Sequence, residues 1–413
     1  MTGYSARAVN LSLRVFAMGS RFVLVFALAR FLTPGDVGQY GLFMASLSFV
    51  VLIVGADFYS YSNREILARP RKEWSFVIQH FFLAILAVYI VTFPVIALFV
   101  SLSDDVLNNV AWFFALLVVE HLAQEVNRLL NTIGRPLAAG TVLMVRMGLW
   151  VWFVLPLLWM EPGFRGLDLI FLAWFLGAAT ALLIGVIIIG YEVKLWKLWP
   201  LDIQWMKKGF FIGGLFLLSS LSMRGLFTMD RYIVDFILDS EMLGIYVLYI
   251  SLSMSIISIV KPAIVDFLNP RLVKAHFSSS EDEYKRILAE YRWSTLLLST
   301  SLAIIIALSA PYIFEWTGKE IYGRNLDVLW LLLAVAVLYA VNLPMNGALY
   351  ARGRNRHILI SNVMMPVVFI VSLYLMSSTP SLGMVATSLL CAMVWDILYK
   401  HVSYYLTERD VRG

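Results

Sequence analysis

The sequence predicts an all-α polytopic membrane protein: twelve transmembrane helices in two six-helix bundles of parallel-repeat topology, with both termini cytoplasmic. Three observations lead there. Of the 413 residues, 61% are apolar and 14% charged, against roughly 45–50% and about 25% in soluble domains. The apolar runs are long and lack strand alternation, so each can satisfy its backbone only as a helix. Finally, the loop cations sort by side.

A helix needs about 20 residues to cross a hydrocarbon core of about 30 Å. The runs long enough lie at 9–31, 36–58, 75–101, 109–131, 137–160, 168–190, 209–237, 242–267, 294–315, 327–350, 358–377 and 383–404. Turn residues punctuate them: Thr33-Pro34-Gly35, Gly134-Arg135-Pro136, Glu161-Pro162-Gly163, Gly353-Arg354 and Thr379-Pro380. Pro94, Pro156, Pro262, Pro311, Pro344 and Pro366 fall inside spans, where they kink helices.

Lys and Arg set the orientation. With these spans, 21 of the 32 basic residues fall in the termini, the loops and the last span's end on one side, Lys400 among them, and only Arg30 at the first span's end, Arg165, Lys319 and Arg324 on the other. The first side is therefore cytoplasmic. The first run, interrupted by Arg14 and Arg21, does not read as a cleavable signal peptide. The single cysteine, Cys391, excludes an intramolecular disulfide and a Cys-rich metal site, and reads as a packing residue.

The halves echo one another. Leu32, Gly38, Tyr40 and Leu42 match Leu238, Gly244, Tyr246 and Leu248 at a constant offset of 206. Gly134-Arg135 after span four matches Gly353-Arg354 after span ten at an offset of 219. Most of the extra length lies in the loop after span eight, where Ser280-Glu281-Asp282-Glu283 reads as the capping box of a short surface helix ending near Arg292. Residues 1–190 then form the N-terminal bundle, 191–208 a cytoplasmic linker and 209–413 the C-terminal bundle. Lys194, Trp196, Lys197, Trp199 and Trp205 suit a linker lying on the membrane surface.

The remaining seven basic residues lie within spans: Arg14, Arg21, Arg128, Arg146, Arg224, Arg231 and Lys261. A charge at mid-span costs about 2.5–3.5 kcal/mol on insertion scales. Arg21 and Arg224 are too deep to reach the interface easily. Arg14 and Arg21 share a face of span one with Asn10, and Ser220, Arg224, Thr228, Arg231 and Asp235 share a face of span seven. Each half thus carries a cationic stripe, to which Arg146 and Lys261 can add. Such a surface calls for an anion, and arginine suits phosphate oxygens because its fork donates two hydrogen bonds and stays charged. Arg128 reads as structural, paired with Glu125 one turn away. Glu120, Glu125 and Asp230 admit two readings. Neighbouring arginines neutralise them, or they are protonatable carboxylates that couple proton or sodium movement to a substrate.

At these residues the chain resembles a known family. Arg30-Phe-Leu-Thr-Pro-Gly-Asp-Val-Gly38-Gln-Tyr40, Met229-Asp230-Arg231-Tyr232, Gly244-Ile-Tyr246 and the two Gly-Arg turns are similar to the polysaccharide-unit and O-antigen flippases (Wzx type). These belong to the multidrug/oligosaccharidyl-lipid/polysaccharide exporter (MATE-like) superfamily. The resemblance implies two bundles around a cavity open to one side at a time, in the bacterial inner membrane. It implies a lipid-linked oligosaccharide of the undecaprenyl-pyrophosphate type as substrate, and a cationic lumen to which Arg21 and Arg224 correspond. It also implies contact with membrane lipids and with polysaccharide polymerase and chain-length machinery. The lipid II flippases of the superfamily have two further helices, which this chain lacks.

Two other functions compete. A cation-coupled multidrug exporter of the same fold would favour an acidic lumen, against seven intramembrane cations. A glycan polymerase or glycosyltransferase would need long exported loops with catalytic groups. Here those loops are short, and Asp104-Asp105 in one of them reads as a solvated turn. The five His are scattered and no phosphate-binding glycine loop occurs, so no enzyme, cofactor or metal is expected, and no nucleic-acid partner.

Overall fold

The computed structural model describes residues 3–101, 110–193, 199–277, 281–378 and 380–412. Fifteen α-helices appear among them: α1 (Gly3–Phe31), α2 (Pro34–Gly55), α3 (Tyr59–Ala68), α4 (Trp74–Ser101), α5 (Val110–Thr132), α6 (Pro136–Met144), α7 (Trp150–Met160), α8 (Leu167–Val193), α9 (Ile203–Ile237), α10 (Ser240–Val260), α11 (Asp266–Phe277), α12 (Glu281–Thr317), α13 (Leu326–Ala351), α14 (Asn355–Leu375) and α15 (Leu382–Arg412). Two π-helical segments, Val145–Leu149 and Lys261–Val265, join α6 to α7 and α10 to α11 into continuous rods. Asp104, Asp105, Lys194, Trp196, Lys197, Ser280 and Thr379 lie outside the described residues.

Ten helical stretches among the described residues are long and apolar enough to cross a membrane. α9, bent by 48° between Ile203–Gly214 and Leu217–Ile237, makes eleven. The twelfth expected span coincides with α5. Its 23 residues would reach about 35 Å at 1.5 Å per residue, but Glu120, Glu125 and Arg128 lower its apolar character. Large apolar side chains on the outside, such as Ile90 and Val91 on α4 and Phe153 and Trp159 on α7, are exposed. That is the pattern of a chain multiply inserted in lipid.

The expected short surface helix after span eight does not form. α12 runs unbroken for 37 residues, because Tyr284, Ile287, Leu288 and Tyr291 are buried at helical spacing and nothing interrupts the helix before Pro311. Cys391 is exposed rather than packed. Lys400, counted above with the cytoplasmic cations, is buried.

The chain divides into two compact units, Met1–Ala27 with Phe43–Leu221, and Leu28–Leu42 with Ser222–Gly413. In the first, Phe43 stacks on Phe171 at 4.2 Å, and a second cluster gathers Phe58, Phe81 and Trp205. The linker is strapped to α4. Gln79 binds the Trp199 backbone with both halves of its amide, each at 2.9 Å, and Trp199 Nε1 donates to Ser75 at 3.0 Å. The Asp202 N–H donates to His80 Nε2 at 2.9 Å.

In the second unit the two echoed turns pack on one another. Thr33 and Asp36 cap α2 reciprocally, the Thr33 hydroxyl donating to the Asp36 carboxylate at 2.6 Å while accepting from the Asp36 N–H at 3.1 Å. Asp239 caps α10 by accepting from Met242 N–H at 2.8 Å. The two helix starts meet at Gly38 and Gly244. A Cβ on Gly38 would lie 2.8 Å from Ser240 O and 3.0 Å from Gly244 N, and one on Gly244 would overlap Pro34 O. Lys319 donates to Ala29 O at 2.7 Å and to Leu32 O, so it caps the carbonyl end of α1. Burial there pulls its ammonium below the ordinary lysine range, and Asp36 opposes the shift. Arg30 donates to Trp316 O and lies over the Trp316 ring, 4.8 Å from its centroid.

The second echo is a pair of helix C-caps. Gly134 and Gly353 have φ of +79° and +69°, a conformation glycine adopts at least cost. In each, the following Arg N–H reaches back five residues, Arg135 to Leu130 O at 2.8 Å and Arg354 to Leu349 O at 2.9 Å. This is the bond that closes a Schellman turn.

Candidate functional site

In the first unit a seam of small residues draws α1 against the α6–α7 rod. A Cβ on Gly140 would overlap Asn10 Oδ1, and one on Gly148 would stand 2.9 Å from the Ala17 Cα. Ser20 holds the same contact by accepting from Trp152 Nε1 at 2.9 Å. Close backbones of this kind are how membrane helices associate in lipid. The result sets Arg21 of α1 and Arg146 of the π-helical segment about one carboxylate. Arg21 lies 4.0 Å and Arg146 3.7 Å from Glu120 Oε1, while Trp174 Nε1 donates to Oε2 at 3.3 Å. Arg21 also faces the Trp174 ring at 5.3 Å.

Two guanidiniums thus share one acid, which leaves one positive charge in surplus. Arg146 is 6% exposed, yet its Nε and Nη1 have no hydrogen-bond partner. The Nε atoms of Arg14 and Arg21 are also buried without one. Buried donors are seldom left idle, and π-helical turns recur at functional sites because they re-aim a side chain. The cluster can take up an anion.

In the second unit Asp230 and Arg231 satisfy each other. Asp230 accepts from the Tyr246 hydroxyl at 2.9 Å and from the Arg231 N–H at 2.8 Å. The Arg231 guanidinium is 3.3 Å from the same carboxylate and donates to Phe227 O. Arg224 and Lys261 differ. Both are exposed, and Lys261, opening its π-helical segment, reaches Tyr339 Oη at 3.5 Å. Arg224 lies within electrostatic reach of the same tyrosine. Among the described residues neither forms an ion pair with a carboxylate. Glu125 accepts from Arg128, whose guanidinium lies 3.8 Å from the centroid of the Tyr59 ring.

Two partners and one pairing escaped sequence reading. Trp174 looked like ordinary apolar helix, and only its partner Glu120 marks it. The Tyr89 hydroxyl, on α4, is hydrogen-bonded to His121 Nδ1 at 2.7 Å. Asp396 and Lys400, 2.8 Å apart, are joined by Ser361, which donates to Asp396 at 2.5 Å, and by Asn342. The i,i+4 spacing of the last pair was the available signal.

A family model described as polysaccharide biosynthesis protein matches residues 7–276. No curated protein matches the chain. Among solved structures, the chain is similar to the inward-facing conformation of a multidrug resistance MATE family transporter of the MOP superfamily, with TM-score 0.68, 17% identity and coverage of 98% of each chain. It is also similar to MATE in the straight conformation, with TM-score 0.65, 16% identity and coverage of 98% and 96%. For the outward-facing conformation of a MATE family transporter the values are 0.61, 17%, 98% and 96%. At these identities the likeness concerns the fold.

Proposed function

Since the chain belongs to the polysaccharide biosynthesis protein family and has the fold of MATE-like transporters of the MOP superfamily, we propose that it flips an anionic, polyprenyl-pyrophosphate-linked oligosaccharide. The unit would cross the bacterial cytoplasmic membrane by alternating access and feed assembly of a cell-surface polysaccharide. In this reading α5 is the twelfth span and both termini are cytoplasmic, as the 21-to-4 division of loop cations favours.

The observation that carries the proposal is the idle guanidinium surface: Arg146 buried with two unpartnered nitrogens, and Arg21 sharing its acid. Pyrophosphate oxygens would complete those hydrogen bonds in pairs. The lipid tail stays in the bilayer while the headgroup occupies the cationic surface. An exporter of cationic drugs would be repelled by the same surplus.

Complementation of a flippase-null strain checks this. Arg21→Ala, Arg146→Ala and Arg224→Ala should each lose surface polysaccharide. With about 1.5–3 kcal/mol per charged hydrogen bond, the loss is roughly ten- to a hundredfold in transport. Arg324→Ala, an exposed loop change, should behave as wild type. Equal activity of all four at equal expression would sink the cationic-site reading, and resistance to cationic drugs would point to the multidrug exporter.

A further inference from the structure

A second group of idle donors lies in the second unit, where α12 enters its apolar stretch. Seven charged residues crowd positions 281–292 of that helix, and none follows between Trp293 and Phe314. Arg292 is the last of the seven, so it stands where headgroups give way to hydrocarbon. Trp293 beside it is 64% exposed, and Tyr405 on α15 is 52% exposed. Exposed aromatic rings at such a boundary are the mark of a membrane interface.

Behind this boundary two arginines gather on tyrosines. Arg352, which ends α13, lies over two rings, 4.2 Å from the Tyr404 centroid and 5.2 Å from that of Tyr284. It donates to the Tyr404 hydroxyl at 2.9 Å. Arg292 lies over the Tyr404 ring as well, at 6.0 Å, and its Nε and Nη2 are buried without a hydrogen-bond partner. The Tyr291 hydroxyl is buried and unpartnered too. That of Tyr284 lies near Arg352 and Tyr404 without closing a hydrogen bond to either. Among the described residues neither guanidinium forms an ion pair with a carboxylate. The acids of the neighbourhood are placed elsewhere: Glu281 is 3.5 Å from Lys285 and Glu290 3.9 Å from Arg271, while Asp266 is within electrostatic reach of Tyr291.

A ring face attracts a guanidinium but offers its N–H groups no acceptor, and buried donors are seldom left idle. The idle groups here are guanidinium N–H and phenol O–H, all able to donate. They fit an anion with several oxygens, and a phosphate matches the arginine fork. Such a phosphate comes from a lipid headgroup or from solution. The depth of Arg292 and the exposed Trp293 and Leu297 beside it favour the lipid, whose tails have apolar surface to lie along.

We propose that Arg292 and Arg352, with the hydroxyls of Tyr284 and Tyr291, hold the phosphate of an anionic phospholipid. Basic recesses between membrane helices take such headgroups. The bound lipid fastens the ends of α12, α13 and α15 to one another. It is a resident lipid, held by none of the residues of the α1 and α9 stripes, and its site does not depend on what the protein transports.

Melting of the full chain in detergent, with phosphatidylglycerol, phosphatidylcholine or inorganic phosphate added, tests this. Phosphatidylglycerol should raise the wild-type melting point and phosphatidylcholine should not. In Arg292→Gln the lipid concentration for half the rise should increase roughly tenfold or more. Arg292→Lys, which keeps the charge and loses the fork, should fall between the two. Arg354→Gln removes an exposed charge two residues from Arg352 and should respond as wild type. Native mass spectrometry of wild type alone should show phosphatidylglycerol retained in preference to phosphatidylcholine, a readout that survives if the Arg292 variants misfold. Equal responses to the two lipids, or equal losses in Arg292→Gln and Arg354→Gln, would overturn the site. Protection by inorganic phosphate alone, equal to that by phosphatidylglycerol, would overturn the lipid and assign the arginines to a soluble phosphate.

Discussion

Gly244→Ala should dismantle the joint between the starts of α2 and α10. The new methyl would overlap the carbonyl oxygen of Pro34, and that atom is backbone, so no rotamer change relieves it. Gly38→Ala meets Ser240 O at 2.8 Å from the other side. Overpacking against movable side chains costs about 1–3 kcal/mol, and these fixed contacts place both variants at the upper end. The reciprocal Thr33–Asp36 cap and the Lys319 bonds to Ala29 and Leu32 depend on the same apposition and would loosen with it. Gly190→Ala is the internal comparison. It sits within α8 with nothing inside 4 Å of its Cβ position, so a helical glycine replaced there should leave stability unchanged or raise it by about 0.5–1 kcal/mol. Tryptophan-fluorescence melting of the purified proteins checks the contrast. A Gly244→Ala melting point as high as that of Gly190→Ala would mean that the two helix starts do not touch.

This joint shows how far the sequence could be read. Gly38 and Gly244 were visible as a repeat, since identical spacing needs no structure to detect. Their reason was not visible, because close approach of two backbones separated by about half the chain leaves no local signal beyond the glycine. The Gly-Arg echo was nearer to legible: glycine before a helix-ending charge is the chemistry of a left-handed cap. The spans were legible for the same local reason, as apolar length is a property of the segment itself. α12 was misjudged because the Ser280–Glu283 capping signal marks a start and carries no information about where the helix stops.

Within the candidate sites, the cations could be listed from depth alone. Which of them are neutralised could not, since that depends on neighbours in other helices. Asp230 and Arg231 satisfy each other locally, with Tyr246 added from α10. Arg146 and Arg21 converge on Glu120 only because Gly140 and Gly148 let α1 approach. The π-helical turns that aim Arg146 and Lys261 have no sequence signature of their own. His121 follows Glu120 in the sequence, but its neighbours Tyr89 and Glu125 lie on another helix and one turn away.

Asp396 and Lys400 should behave as one structural unit, and a double-mutant cycle will show it. The pair is 1% and 2% exposed and links three helices, because Asp396 also accepts from Ser361 at 2.5 Å and from Asn342, while Lys400 donates to Asn362 at 3.2 Å. Asp396→Leu strands a buried ammonium and should cost about 3–5 kcal/mol. Lys400→Met should cost less, since the carboxylate keeps the Ser361 and Asn342 bonds. The double variant replaces the ion pair with apolar groups, leaves no unpaired charge, and should fall well short of the sum of the singles, by about 1–3 kcal/mol of coupling. Melting of the four proteins gives the cycle; costs that add within about 0.5 kcal/mol would mean that the two charges do not pair. Transport by the double variant, measured in the same preparations, should survive. The tethered Lys400 ammonium fills the place a mobile cation would take at Asp396, so this cluster holds α13, α14 and α15 together.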